Sequence, residues 1–321
     1  TVAAASAVTS SVAAASGAAL AAMAAKASCA VAAVGVALGT LWRWSTSAGS
    51  EKEMAALKIT RAVRRWSQSR NQRPVLLGTL SPQPAPEPVF LWRGAFATVY
   101  RASVAGEWLA MKVMHSAQQL VAERKALEAL TGYEFIVQLH HVFEPNVLYL
   151  ELCDEPLVPG DHQTARQWAF QLCTGLTAIH WCGFIHRDIN PNNLMRRGHE
   201  LRICDFGDSV LEDEADTRVV GTVAYMSPEV LSGMPQSCAI DVWSAGMSIY
   251  FLFTGRILLD MQDGRDRLAE AMFAIRSQFP EHAVATMPEG VQGSDWQKIL
   301  RMLAVNPCDR IMAADASEEW E

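Results

Sequence analysis

The run His186-Arg187-Asp188-Ile189-Asn190-Pro191-Asn192-Asn193, followed shortly by Asp205-Phe206-Gly207, constrains this chain more than any other stretch. It sets two carboxylates and an amide on either side of a short hairpin. In that pattern Asp188 can orient and deprotonate an attacking hydroxyl, while Asn193 and Asp205 can hold a divalent metal. A single Asp or Asn reads equally well as a turn cap, but three in this register point to a reaction centre.

Motifs on both sides extend the pattern. Upstream lie Leu91-Trp92-Arg93-Gly94-Ala95-Phe96-Ala97-Thr98-Val99-Tyr100 and Ala110-Met111-Lys112. Downstream lie Gly221-Thr222-Val223-Ala224-Tyr225-Met226-Ser227-Pro228-Glu229, Asp241-Val242-Trp243-Ser244-Ala245-Gly246 and Asn306-Pro307-Cys308-Asp309-Arg310. In this order and spacing, residues 89–318 resemble the eukaryotic protein kinases of the serine/threonine type. The resemblance implies an α+β fold of two lobes, a small β-rich one over residues 89–153 and a larger helical one over 154–321. It also implies transfer of the γ-phosphate of ATP, with Mg²⁺, to serine or threonine of a protein substrate.

The same resemblance assigns roles. Lys112 contacts the nucleotide phosphates and pairs with Glu123, Asp188 is the base, and Asn193 and Asp205 are the metal ligands. Leu91, Gly94, Val99, Ala110, Leu150 and Met195 surround the nucleotide, with Leu150 as gatekeeper and backbone groups of Glu151 and Cys153 facing adenine. Thr222 bonds the catalytic aspartate. Arg187 meets a phosphate on the activation segment, for which Thr217 is the candidate site, although Glu212, Asp213, Glu214 or Asp216 could satisfy the same arginine without phosphorylation. Asp241 holds the catalytic-loop backbone, Glu229 pairs with Arg310, and Leu127, Leu139, His186 and Phe206 stack as an internal spine.

Four departures stand against that pattern. Only Gly94 remains of the usual loop glycines, with Trp92 and Ala97 at the other two positions, so amides should approach phosphates less closely. Asn190 stands where a lysine usually neutralises the γ-phosphate, which should slow transfer. The helix after Lys112 is expected to be short at its start, and the Asp154–Asp161 loop lacks the usual inserted helix. A nucleotide-weak pseudokinase scaffold therefore remains the alternative, and a membrane-tethered adaptor a third reading.

Alternation predicts strands over Val89–Arg93, Thr98–Val104 and Glu107–Val113 with turns at Gly94 and Gly106, and a further strand within Leu148–Cys153. Helical spacing predicts Val121–Leu130, Thr164–Trp181, an apolar helix from Asp241 to about Thr254, Leu268–Phe279, Asp295–Leu303 and a short last helix.

Charge separates the amino-terminal segment from the rest. Residues 1–88 carry nine Lys or Arg against three Glu, leaving 18 against 31 in the remainder. That acidic body argues against nucleic acid as a partner. Seven scattered cysteines, none spaced as CxxC, suggest reduced thiols rather than zinc or disulfides. Residues 1–50 are Ala-rich and read as a low-complexity tail, a membrane anchor or a transit peptide. Residues 51–70 read as a basic amphipathic helix, with Ala55, Ile59, Ala62, Val63 and Trp66 on one face. It could meet a membrane surface (residues 27–73 together), pack on its own domain or act as a linker. The Pro-rich run Ser81–Pro88 marks the boundary of the 51–88 segment. The expected location is the cytoplasm, with membrane association or an organelle as alternatives.

Overall fold

The computed structural model describes residues 87–143, 145–259, 287–289 and 291–321. The expectations for residues 1–86 and for a helix over Leu268–Phe279 lie outside these residues.

The first half is a five-stranded antiparallel sheet with one helix. Strands β1 (Val89–Arg93), β2 (Ala97–Val104) and β3 (Glu107–Met114) form a meander, α1 (Ala117–Ala129) follows, and β4 (Leu139–Phe143) and β5 (Val147–Glu151) complete the order β1-β2-β3-β5-β4. The β2–β3 connection is a two-residue turn with φ of 52° at Ala105 and 85° at Gly106. Two positive φ values match the twist of the flanking strands, and glycine makes the second one easy. Helix α1 begins one turn earlier than its apolar spacing suggested, because Ser116 caps it by accepting from Gln119 N–H. Its buried stripe runs Leu120, Glu123, Ala126, Leu127, with a carboxylate among the apolar side chains.

The second half is mainly helical. A two-residue strand, β6 (Glu155–Pro156), leads into α2 (His162–Trp181), whose Asp161 cap accepts from Thr164 N–H. Strands β7 (Phe184–Ile185), β8 (Leu194–Arg197), β9 (Glu200–Ile203) and β10 (Val210–Leu211) form two small sheets, β6-β8-β9 and β10-β7. These hold the loops that carry the polar run from His186 to Asn193. A single turn, α3 (Pro228–Leu231), precedes the buried helix α4 (Ala239–Thr254), and α5 (Gly293–Met302) and α6 (Ala313–Trp320) close the fold. Apolar residues of α2 (Ala165, Ala169, Leu172, Leu176, Ile179) and α4 (Trp243, Ala245, Ile249, Leu252) have almost no exposed surface, and they form the core beneath the loops. The architecture is the α+β, two-lobed arrangement expected from the sequence.

One buried ion pair braces this core. Arg310 donates to both oxygens of Glu229 at 2.6 and 3.1 Å and to the carbonyls of Ala239 and Ala304 at 2.7 and 3.0 Å. It joins α3, the start of α4 and the loop before α6. Removing one member of such a pair strands the other charge in the interior. Arg310→Met is expected to lower stability by about 3–5 kcal/mol, read as a shifted urea midpoint.

Candidate active site

Strand register places the side chains of Val99, Ala110, Lys112, Leu148 and Leu150 on one face of the sheet: Val99 pairs with Lys112, Lys112 with Leu148 and Ala110 with Leu150. Lys112 Nζ lies 2.8 Å from both oxygens of Glu123 and 2.9 Å from Asp205 Oδ1. One ammonium thus joins β3, α1 and the segment after β9. Burial pulls Lys112 down, but the Glu123 and Asp205 carboxylates more than offset this and hold it protonated above the ordinary lysine value. Burial likewise pushes Glu123 up against the pull of Lys112. Burial would also raise Asp205, but Lys112 holds it below the usual carboxylate range. The Asp205 side chain keeps 42% of its surface open.

The loop at the top of α4 is held from beneath. Asp241, fully buried, accepts from His186 N–H at 2.8 Å, Arg187 N–H at 2.9 Å and His180 Nε2 at 2.9 Å. Burial would raise its carboxyl, but the His180 bond and the neighbouring backbone donors bring it below the ordinary value. These bonds support the left-handed backbone at Arg187, where φ is 69°. His186 accepts from Asp188 N–H through Nδ1 and bonds the Cys204 carbonyl through Nε2, and its ring lies 4.7 Å from Phe206. It therefore packs and links segments, and it is placed to act neither as a base nor as a metal ligand.

Asp188 sits in a ring of donors. Its Oδ1 accepts from Thr222 N–H and Oγ1, both at 2.8 Å, and from Asn190 Nδ2 at 3.0 Å, while Oδ2 accepts from Asn193 Nδ2 at 2.8 Å. Burial still leaves its carboxyl above the ordinary aspartate value despite these bonds. Gly221 makes the approach of Thr222 feasible: its φ is 101°, and a Cβ there would collide with the Arg187 carbonyl. Asn190 departs from the role expected at its position. Its amide donates to Asp188 and to Thr222 Oγ1, and its oxygen accepts from Asn192 N–H. An Asn is too short to reach outward as a lysine would, so here it fastens Asp188 to Thr222.

Asn193 donates through its nitrogen to Asp188, which leaves its amide oxygen for a cation; Asp205 retains a second carboxylate oxygen. Hard oxygens of this kind suit Mg²⁺. The nucleotide loop differs from expectation in detail. A bulge at Leu91 puts Trp92 opposite Val99, on the Lys112 face, and the Trp92 ring lies where any Cβ on Gly94 would have to go. A side chain at position 94 would thus have to displace the Trp92 ring. Leu91 is exposed, and Met195 on β8 is half-buried beside Arg202 on β9.

The end of β5 also differs from expectation. Glu151 N–H bonds the Gln138 carbonyl, so it is not a free donor, and the buried Glu151 carboxylate accepts from Arg202 Nε at 3.1 and 3.3 Å and pairs with Arg197. Sequence reasoning used only the backbone of Glu151. Arg197 and Arg202 lie on the β8–β9 hairpin, far along the chain, and nothing beside Glu151 signals them. Cys153 N–H has no hydrogen-bond partner among the described residues.

Arg187 donates to the Asp208 carbonyl at 2.6 Å and approaches Asp216 Oδ1 at 3.3 Å, and Asp216 also pairs with Arg218. Thr217, between them, is exposed. The same segment reaches α1 through Lys125–Glu214 at 3.0 Å and Gln119 Nε2–Asp208 Oδ1 at 3.3 Å.

A lysine fixed by two carboxylates and an aspartate ringed by Thr222, Asn190 and Asn193 define a phosphotransferase-type cleft. The protein kinase domain family model matches residues 89–320, and the chain belongs to that family. Members of the family in general use ATP and a divalent metal. The chain is 34% identical over 184 residues to a protein of Encephalitozoon cuniculi named as a probable serine/threonine-protein kinase, covering 53% of this chain and 36% of that one. It is 30% identical over 214 residues to a calcium and calcium/calmodulin-dependent serine/threonine-protein kinase of Lilium longiflorum, covering 61% and 40%. It is 27% identical over 259 residues to ribosomal protein S6 kinase alpha-2 of Homo sapiens, covering 71% and 34%. The chain therefore spans between a third and two fifths of the length of these relatives.

The depressed value of Asp241 carries a pH signature. Its contribution to stability is complete above the unfolded carboxylate value of about 4 and is lost as pH falls through its lower folded value. Thermal melts of the wild type and Asp241→Asn are expected to differ fully above about pH 4 and to converge below it.

Proposed function

We propose that this protein phosphorylates serine or threonine residues of protein substrates, using ATP and Mg²⁺. The observation that carries the reading is Lys112 held between Glu123 and Asp205 while Asp188 is aimed by Thr222 and Asn193. Bound Mg²⁺·ATP supplies the transferable phosphoryl group and neutralises charge on it. Asn193 and Asp205 would hold the metal, and Lys112 would meet the phosphates with a fixed positive charge, oriented by Glu123. Asp188 orients the substrate hydroxyl and accepts its proton. Because the Asn190 amide is engaged within the loop, no cation extends from that position, and transfer is slower than with a lysine there.

Phosphate incorporation from labelled ATP into a generic basic protein tests this. The wild type should transfer, with Asp188→Asn and Lys112→Met lower by about 10²–10⁴-fold. Incorporation no greater than in these variants, under conditions where a control kinase works, would favour the scaffold reading.

The Arg187–Asp216 contact supports a regulatory reading, in which a built-in carboxylate stands in for a phosphate at Thr217. Thr217→Ala should then keep activity within about twofold, whereas Asp216→Ala should lower it about three- to tenfold, the scale of one charge-assisted hydrogen bond. The opposite order would return the role to Thr217.

The basic residues Lys58, Arg61, Arg64 and Arg65 support a subsidiary reading in which residues 27–73 meet a membrane surface on the cytoplasmic side. Among the described residues no helix is long and apolar enough to cross a membrane.

A further inference from the structure

The nucleotide loop has lost two of its glycines, yet its tip is tied in place. Gly94 N–H closes the hairpin on the Ala97 carbonyl at 2.9 Å. Immediately after β3, His115 continues the strand pairing: its N–H donates to the Phe96 carbonyl at 2.7 Å. Its ring then reaches back along the hairpin, with Nε2 3.0 Å from Thr98 Oγ1 and Nδ1 3.5 Å from the Ala95 carbonyl. Thr98 is itself buried at 8% exposure and lies between Arg93 of β1 and Val113 of β3. His115 is thus bonded to three successive parts of the loop, at Ala95, Phe96 and Thr98. With its proton on Nδ1, the ring donates to the Ala95 carbonyl and accepts from the Thr98 hydroxyl.

We propose that His115, through Thr98, is the positioning residue of the nucleotide loop, holding the backbone between Gly94 and Ala97 at a fixed height above Lys112. A loop rich in glycine can settle onto phosphates by its own flexibility. A loop carrying Trp92 and Ala97 has less of that freedom, so its amides must be held in place before the ligand arrives. Fixing the tip to the end of β3 does this, because β3 also carries Lys112, and the loop and the phosphate-binding ammonium then move as one unit. The inference rests on the kinase reading above, but its binding arm can be tested without phosphotransfer.

The experiment compares wild type, Thr98→Val, Thr98→Ser, His115→Ala and His115→Gln. Thr98→Val keeps the volume and β-branching of the buried side chain and replaces only the hydroxyl, and a thermal melt of each variant checks that it folds. The KM for ATP is expected to rise about two- to tenfold in Thr98→Val and His115→Ala, the worth of one or two hydrogen bonds, with kcat within about twofold of wild type. Thr98→Ser, which keeps the hydroxyl, and His115→Gln, which keeps a side-chain donor, should recover part or all of the loss. In parallel, the affinity for a fluorescent ATP analogue is measured directly. A rise in its Kd in Thr98→Val, reversed in Thr98→Ser, supports the proposal even if wild type shows no phosphotransfer, an outcome that would sink only the kinase reading. The proposal is overturned if the analogue binds wild type and Thr98→Val equally or binds neither. It is overturned as well if Thr98→Ser behaves like Thr98→Val, or if kcat falls while KM stays constant.

Discussion

Everything in the cleft depends on one buried ammonium. Lys112 lies on a central strand with little access to water, where an unpaired charge would be untenable. Its two carboxylate partners come from different places in the chain: Glu123 from the buried stripe of α1 and Asp205 from the turn after β9. Satisfying Lys112 therefore fixes how deeply α1 docks on the sheet and where the turn at Asp205 sits. The positive φ of 64° at Asp205 is a local strain that this pairing supports. Because Asp205 remains partly open while Glu123 is closed off, the same three charges divide into a structural half and a half that can face a ligand.

A buried carboxylate does for the lower half what the Lys112 ammonium does for the upper. Asp241, at the start of the most apolar helix, collects two backbone N–H groups and a histidine, and it thereby sets the strained turn that presents Asp188. Above it, Asp188 is aimed by Asn190 and Asn193 of its own loop and by Thr222 from further along the chain, and Arg187 extends from the same turn to the Asp208–Asp216 segment. That segment in turn touches α1 through Glu214 and Asp208. The contacts form a closed circuit from Lys112 to α1, to the activation segment, to the catalytic loop, and back through His186 and Phe206. Moving any one part would loosen the others.

Most of the fold could be read from the sequence because its signals are local. The alternating runs of β1 to β3 and the helical spacing of α2 and α4 need no knowledge of distant residues. Boundaries were misplaced where a polar cap precedes the apolar pattern, as at Ser116 and Asp161. The polar run from His186 to Asn193 also announced itself, since so many site side chains lie within a few residues of one another. Long-range pairings were harder to see. Nothing near Asn190 indicates that its amide will turn inward to Thr222, and nothing near Glu151 indicates that arginines from another hairpin will cover its carboxylate. The bond from His115 to Thr98 joins residues 17 positions apart and depends on strand register, which composition does not reveal.

The central claim is that Lys112, Glu123 and Asp205 assemble a site for a metal-bound nucleotide. Calorimetric titration of ATP, with and without Mg²⁺, into wild type and Asp205→Asn tests it most directly. The account expects wild type to bind ATP more tightly when Mg²⁺ is present, and Asp205→Asn to lose that dependence. An affinity indifferent both to Mg²⁺ and to the substitution would contradict it.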